Sequence, residues 1–391
     1  MSSEITTMTP LPRAISYAVP SMDAINNTPD NGVRVVSLFC GCGGSSLGYR
    51  MHGCKILYAN DFDANAIATY NLNKCSVTCT SQDDIRSIDL EALRVELALA
   101  KGELDILDGS PPCQLFSQSR GRNIKDIQDD IEGRGTLFNN YIHAVIAFRP
   151  KVFIAENVRG LVSQSHRITF NQICKSLCNC GYHLQTHLVY ASNFGVPQLR
   201  PRVFFIGFSQ DVFSTMPQIT YQLQPQVSFA VACSGVQNDI ANRNEYVDGT
   251  CIGVRMRYKL ERCRSGHSVS SVLPNTINSI DFNTALVAYH DVAPTITAIT
   301  SENGTRGGLL VFDTMLQDFR HVSIPEARRL CSFPDDFKMI GNFRTRWRRL
   351  GNSVPPFLMR GIVAPVLDEL HTLKQTTHGK PNKRRTKPCA I

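Results

Sequence analysis

The sequence has no apolar run approaching the roughly 20 residues of a membrane span. Its first residues lack the basic start and apolar core of a secretory leader. The fourteen cysteines follow no regular spacing, so they are expected as reduced thiols in a cytosolic compartment, not as a disulfide framework. A metal motif is lacking too. The tightest cluster, Cys174, Cys178 and Cys180, reads C-x3-C-x-C, which misses zinc spacing and has no second pair nearby. It also misses the C-x3-C-x2-C of a radical iron–sulfur enzyme by one residue, so it is read as part of a helix and no metal is expected. Cys389 is third from the end, whereas a prenylation signal needs the fourth position. Strong overall charge is lacking as well. Of the net +8, six positive charges (Lys374, Lys380, Lys383, Arg384, Arg385 and Lys387) lie in an acid-free tail, leaving +2 for the rest. Net charge therefore makes no case for a polyanionic partner; the tail reads as a disordered solubilising segment or a weak, salt-sensitive phosphate contact.

What is present is a chain of 391 residues, 42% apolar and 19% charged, which suits a globular protein with a sizeable core. Residues 1–32 are rich in Ser, Thr, Pro and Asn without periodicity and are expected to be disordered. From Val33 the pattern alternates between strand and helix. Strands are expected at Val33 to Phe39, Lys55 to Asn60, a segment closed by Asp83-Asp84-Ile85, Leu104 to Leu107, and Val152 to Glu156. Helices are expected to His52, then at Ala64 to Leu72, Leu90 to Ala100, Leu137 to Phe148, and Phe170 to Cys180. His183 to Tyr190 and Val203 to Phe208 read as two further, antiparallel strands. The alternation predicts an α/β, doubly wound, mostly parallel sheet. After Ser209 the rhythm breaks until helical signals return at Ile324 to Cys331 and Pro356 to Leu373. The expected organisation is a catalytic domain of residues 33–208 and 339–373, a smaller second domain of 209–338, and a basic disordered tail of 374–391.

Three successive strand ends carry chemistry. The first runs into Cys40-Gly41-Cys42-Gly43-Gly44-Ser45-Ser46. Such a turn lets backbone approach a ligand closely, but Ser46 breaks the dinucleotide fingerprint G-x-G-x-x-G. The second strand ends in Asp61, suited to ribose hydroxyls, followed by Phe62, which could stack on a purine. The third ends in Asp84, suited to an adenine amino group. Each alone reads equally as a turn or cap residue; together they point to S-adenosylmethionine.

The fourth strand leads into Asp108-Gly109-Ser110-Pro111-Pro112-Cys113. Two prolines exclude a regular helix or central strand, so Cys113 sits on a stiff loop beyond a strand end. It is either a nucleophile at the ligand edge of the sheet or a buried structural thiol. The strand at Val152 to Ala155 delivers Glu156-Asn157-Val158. In Gln198-Leu199-Arg200-Pro201-Arg202, Pro201 forces extension, so Gln198, Arg200 and Arg202 share one face as a row of donors.

FCGCGG at 39–44, GSPPCQLFSQS from 109, RGTLF at 134–138, ENV at 156–158 and FGVPQLRPRVF at 194–204 resemble, in this order, motifs of the DNA (cytosine-5)-methyltransferases. So do RHVSIPEARRLCSFPDDF at 320–337 and RRLGNSVPP at 348–356. The match covers residues 33–208 and roughly 290–365; residues 210–290 match nothing, as expected of that family's target-recognition region. The resemblance implies transfer of a methyl group from S-adenosylmethionine to carbon 5 of a flipped-out cytosine in duplex DNA. It implies Cys113 as the thiolate that adds to carbon 6, Glu156 holding ring nitrogen 3 and the exocyclic amine, and Arg202 on the base carbonyl oxygen, with Arg200 and Gln198 organising the site. Phe39, Gly41, Gly43, Gly44, Asp61, Phe62, Asp84, Ile85, Pro112, Leu137 and Asn352 would surround the cofactor. Gln114, Ser117 and Ser119 on the loop after Cys113, together with Arg255 and Arg257 in the second domain, would touch DNA. The stretch Arg344 to Arg349 reads either as a phosphate contact or as a solvated helix end.

Other readings remain. A zinc cytidine deaminase needs P-C-x-x-C and H-x-E, and the sequence has neither at Pro112-Cys113 or at any of its ten histidines. A tRNA cytosine-5 methyltransferase would share the core. A catalytically inactive DNA-binding regulator would show damage at Cys113, Glu156 or Arg202, and all three are intact. The expected protein is a cytoplasmic, nucleoid-associated monomer of bacterial or phage origin. A restriction endonuclease acting on the same site is a candidate partner.

Overall fold

The computed structural model describes residues 12–112, 137–237, 261, 284–300, 308–313 and 317–378. A seven-stranded sheet organises it. Its strands are β1 (Arg34–Leu38), β2 (Lys55–Asn60), β3 (Cys79–Ser81), β4 (Ile106–Gly109), β5 (Val152–Val158), β6 (Tyr182–Tyr190) and β7 (Pro201–Ser209). Their spatial order is β3-β2-β1-β4-β5-β7-β6. The five from β3 to β5 are mutually parallel, β7 is antiparallel to β5, and β6 is antiparallel to β7. This is the expected doubly wound class. The order reverses between β1 and β4, so the crevice for a ligand lies outside their carboxyl ends.

The intervening helices are α2 (Gly44–Arg50), α3 (Ala64–Asn71), α4 (Leu90–Glu96), α5 (137–148) and α6 (Arg167–Asn179). Local chemistry sets several starts. The Asp63 carboxylate accepts the Asn65 and Ala66 N–H groups at the head of α3, and Asp89 does the same for Glu91 and Ala92 at α4. The central strands are buried on both faces, which is why they read as continuous apolar runs. One apolar cluster lies on the α2 face, with Tyr49, Ile67 and the C-terminal helix α10 (Pro356–His378). The other lies on the α5 face, with Tyr141, Phe148 and Phe153.

Two expectations change. Residues 12–32 are not featureless: α1 (Met22–Asn26) is capped by Ser21, and Met22 and Ile25 are buried. Tyr17 donates its hydroxyl to the Arg329 carbonyl. Scattered apolar residues anchor this arm even without periodicity. The third strand ends at Ser81, and Asp84 instead caps a 3-10 turn, Ile85–Ser87. An Asp–Asp–Ile run is read better as a cap than as strand, because Asp prefers to bind nearby backbone N–H groups. The second domain was expected over 209–338. Its described part contains α7 (Phe229–Ala232), a second sheet of order β10-β9-β8 and a capped helix α8 (Ile324–Leu330). Those strands are β8 (Thr284–Leu286), β9 (Gly308–Asp313) and β10 (Asp318–His321). Their apolar residues share one core with Cys42 and Leu47 of the first domain and with α9 (Phe343–Asn352). Among the described residues, no helix is long and apolar enough to cross a membrane.

Candidate active site

The first strand leaves the sheet through three left-handed residues, Phe39 (φ 56°), Gly41 (φ 55°) and Gly43 (φ 97°). For Phe39 this is a strained conformation, of the kind concentrated at ligand sites. A side chain at Gly41 would meet nothing within 4 Å, so the turn opens on free space there. A Cβ at Gly43 would fall 2.9 Å from the Tyr70 ring. Gly44 lies against the C-terminal segment: a Cβ there would clash with the Val354 carbonyl and the Phe333 ring. The chain around Asn352 thus returns to the glycine turn, and Asn352 itself is exposed at the end of α9.

Asp61, at the end of β2, holds the turn. Its carboxylate accepts the Gly41 N–H at 2.8 Å and the Asp63 N–H at 2.9 Å. Burial raises its pKa, with those two hydrogen bonds opposing the rise. Phe62 beside it is 71% exposed, an unusual state for a large apolar ring and one suited to stacking on a ligand. Asp84 caps its turn and is forked by the Arg86 guanidinium, which holds its carboxyl below the ordinary range. Ile85 is buried beneath it. Pro112 and Leu137 are half-buried on either side of residues 113–136. The open turn at Gly41, the exposed ring and the strand-end carboxylates fit an adenosine-containing cofactor.

At the next strand ends, Glu156 and Arg202 form an ion pair of 2.7 Å, with side chains 11% and 12% exposed. They sit diagonally across the β5–β7 ladder, where Glu156 faces Phe204 and Arg202 faces Val158. Burial lowers the Arg202 pKa and the Glu156 charge opposes it. Gln198 and Arg200, which meet each other at 3.5 Å, have other partners besides. The Gln198 side chain accepts the Ile296 N–H and donates to the Leu330 carbonyl. Arg200 donates to the carbonyls of Ile296 (3.0 Å), Gly351 (2.8 Å) and Ser353 (2.8 Å). Both are wholly buried, so they brace backbone rather than face a ligand.

Three further residues matter at this edge. Asn157 donates to the Pro111 carbonyl at 3.2 Å and so fixes the loop that leads to Cys113; its place in the ENV triplet was the only signal. Arg349, read as a phosphate contact or solvated end, is 5% exposed and paired with Asp63 at 2.6 Å. Asp108 is buried among hydroxyls, and its signal was a carboxylate inside an apolar strand. Cys113, Gln114, Ser117, Ser119, Arg255 and Arg257 lie outside the described residues.

The strand order, with its antiparallel seventh strand and its glycine turn and carboxylates on one edge, defines a Rossmann-like methyltransferase. Comparison with known sequences narrows the class. A family described as C-5 cytosine-specific DNA methylase matches residues 33–367, and the chain belongs to it. It is a DNA (cytosine-5)-methyltransferase. Among its relatives, the type II methyltransferase M.NgoFVII of Neisseria gonorrhoeae is 31% identical over 84% of this chain and 85% of its own. M.NgoPII of the same organism is 28% identical over 87% of this chain and 98% of its own. Among solved structures, S. pombe Dnmt2 methyltransferase has a TM-score of 0.57 at 20% identity, covering 86% of this chain and 99% of that one, which speaks to fold alone.

Proposed function

We propose that this methyltransferase modifies cytosine within one short recognition site in duplex DNA, with Cys113, Glu156 and Arg202 as the residues that meet the base. The observation that carries this reading is the buried Glu156–Arg202 pair beside the Pro111 carbonyl held by Asn157. A carboxylate and a guanidinium presented together match the amine and carbonyl edge of a flipped-out cytosine. Carbon 5 of cytosine is a poor nucleophile. Addition of the Cys113 thiolate to carbon 6 turns the ring into an enamine. Glu156 accepts from the exocyclic amine and favours charge at ring nitrogen 3, while Arg202 donates to the base carbonyl. Once carbon 5 carries the methyl group, loss of its proton to a base expels the Cys113 thiolate and restores the ring.

S-adenosylmethionine supplies the methyl group. Phe39, Gly41, Gly43 and Gly44 would approach it through backbone, Asp61 would meet its ribose, Phe62 its purine, and Asp84 with Ile85 its adenine edge. Pro112, Leu137 and Asn352 would close around it. Arg200 and Gln198 position the segments that bear Asn352 and Arg202. Gln114, Ser117, Ser119, Arg255 and Arg257 would contact DNA, and residues 209–338 would contain the region that reads its sequence. Two relatives named type II methyltransferases favour a partner endonuclease acting on the same site.

The test is methyl transfer by wild type and Cys113→Ala with S-adenosylmethionine and either unmethylated duplex DNA or tRNA, read at base resolution for 5-methylcytosine. Modification confined to one DNA motif and abolished in the variant is expected. Label in tRNA alone, or activity that survives Cys113→Ala, overturns the reading.

A further inference from the structure

Asp108 is a carboxylate that the chemistry above does not use. It sits on β4, 2% exposed, in the middle of the sheet between β1 and β5. Three hydroxyls converge on it. Ser37 of β1 and Ser45 of α2 each donate to Oδ2 at 2.7 Å, and Tyr49 of α2 donates to Oδ1 at 3.2 Å. A buried carboxylate is costly unless its lone pairs are occupied, so this arrangement stabilises the ionised form only while all three donors are in place. The donors are not scattered. Ser37 lies two residues before Phe39, and Ser45 directly follows the glycine turn. Asp108 itself lies five residues before Cys113 on the same strand and loop. The Ser110 N–H donates to the Leu38 carbonyl one step further along the same seam.

We propose that Asp108 is a positioning residue that clamps the glycine turn of the cofactor site to the strand carrying the Cys113 loop, so that cofactor occupancy and nucleophile placement are mechanically coupled. This rests on the cofactor and nucleophile assignments proposed above. Two sites joined by one buried element are coupled reciprocally: whatever one does to the other's free energy is returned. The clamp also carries a pH dependence. Burial raises the Asp108 carboxyl to about 6, against the opposing hydrogen bonds of Ser37, Ser45 and Tyr49, and the Glu156 charge adds to the rise. The other titratable groups that feel its charge are Tyr49 of α2, Tyr70 of α3, Tyr141 of α5 and Cys40 of the glycine turn. Protonation removes the charge that strengthens these three hydrogen bonds, which weakens the seam.

The experiment compares wild type with Asp108→Asn, which imitates the protonated form, and with Tyr49→Phe, which removes one donor and leaves the carboxylate. Cofactor affinity is measured by calorimetry between pH 5 and pH 8. Alkylation of Cys113 by iodoacetamide is followed by mass spectrometry of its peptide, with and without S-adenosylmethionine. In wild type, the cofactor should change the Cys113 alkylation rate, and affinity should weaken as pH falls through about 6. In Asp108→Asn, affinity should fall about tenfold, lose its acid limb, and leave the alkylation rate indifferent to cofactor, with Tyr49→Phe intermediate. Variants that melt earlier yet keep wild-type affinity, pH profile and cofactor-dependent alkylation would reduce Asp108 to a structural residue. If Cys113→Ala retains transfer activity, the nucleophile assignment fails on its own account, whatever the Asp108 variants do.

Discussion

Replacing Arg200 with methionine should unseat the C-terminal segment from the cofactor site. The guanidinium is 1% exposed and donates to three carbonyls, at Ile296, Gly351 and Ser353. Two of these flank Asn352, so one side chain fixes the backbone on both sides of a proposed cofactor contact. Each hydrogen bond from a charged donor is worth about 1.5–3 kcal/mol, and each buried carbonyl left unpaired retains its desolvation cost. Removing a buried charge returns part of that sum, because burial and the nearby Arg202 charge disfavour the Arg200 cation. The net loss is expected at about 3–5 kcal/mol. Trp347, the only tryptophan in the sequence, reports on this region: it is 1% exposed and its indole N–H donates to the Thr297 carbonyl, next to Ile296. Followed by its fluorescence in urea, the midpoint should drop by about 1–1.7 M for a slope near 3 kcal/mol/M. Cofactor affinity should fall in the same variant below its transition. A midpoint shift under about 0.3 M, with unchanged affinity, would refute the argument that these three carbonyls depend on Arg200.

Two further outcomes follow from the same geometry. Asn157→Ala frees the Pro111 carbonyl, so turnover should fall roughly 10- to 100-fold while cofactor affinity measured by calorimetry stays as in wild type; parallel losses in both would show that Asn157 supports the whole sheet edge. Burial alone would raise the Asp63 carboxyl, but Arg349 and the N–H groups of Ala66 and Asn65 outweigh it and hold it below its ordinary value. The folded pKa is therefore depressed, and the stabilisation is present above about pH 4 and lost as pH falls through the folded value. The stability gap between wild type and Arg349→Met should thus be constant near neutrality and shrink toward pH 3; a gap that persists at pH 3 would remove the ion pair as its cause.

Much of the sheet was legible because parallel strands buried on both faces announce themselves as apolar runs. The second strand spans Lys55–Asn60, as the pattern predicts. The glycine turn and the carboxylates at strand ends were equally visible, since positive φ and ligand-edge polarity are local requirements. The partners that the pattern leaves open share one cause. The row Gln198, Arg200 and Arg202 was expected on one face by alternation, yet what each side chain meets depends on segments about 100 to 150 residues away. Ile296, Leu330, Gly351 and Ser353 return to cover the first two, while Arg202 is left beside Glu156. Arg349 likewise read as a phosphate contact or a solvated end within four arginines and one tryptophan, but helix α9 turns it toward Asp63 on a distant helix cap.

The class of fold and the glycine and carboxylate strand ends were set by the amino-acid sequence alone. These follow from periodicity, proline and glycine constraints and side-chain chemistry, which are properties of short stretches. Only the tertiary structure decided which charges are spent inside the protein. Arg200, Arg349 and Asp108 are buried with internal partners, whereas Glu156 and Arg202 pair with each other and stay 11% and 12% exposed. A buried ionisable group must be satisfied by whatever packs over it, and that neighbour is chosen by long-range packing rather than by its place in the chain.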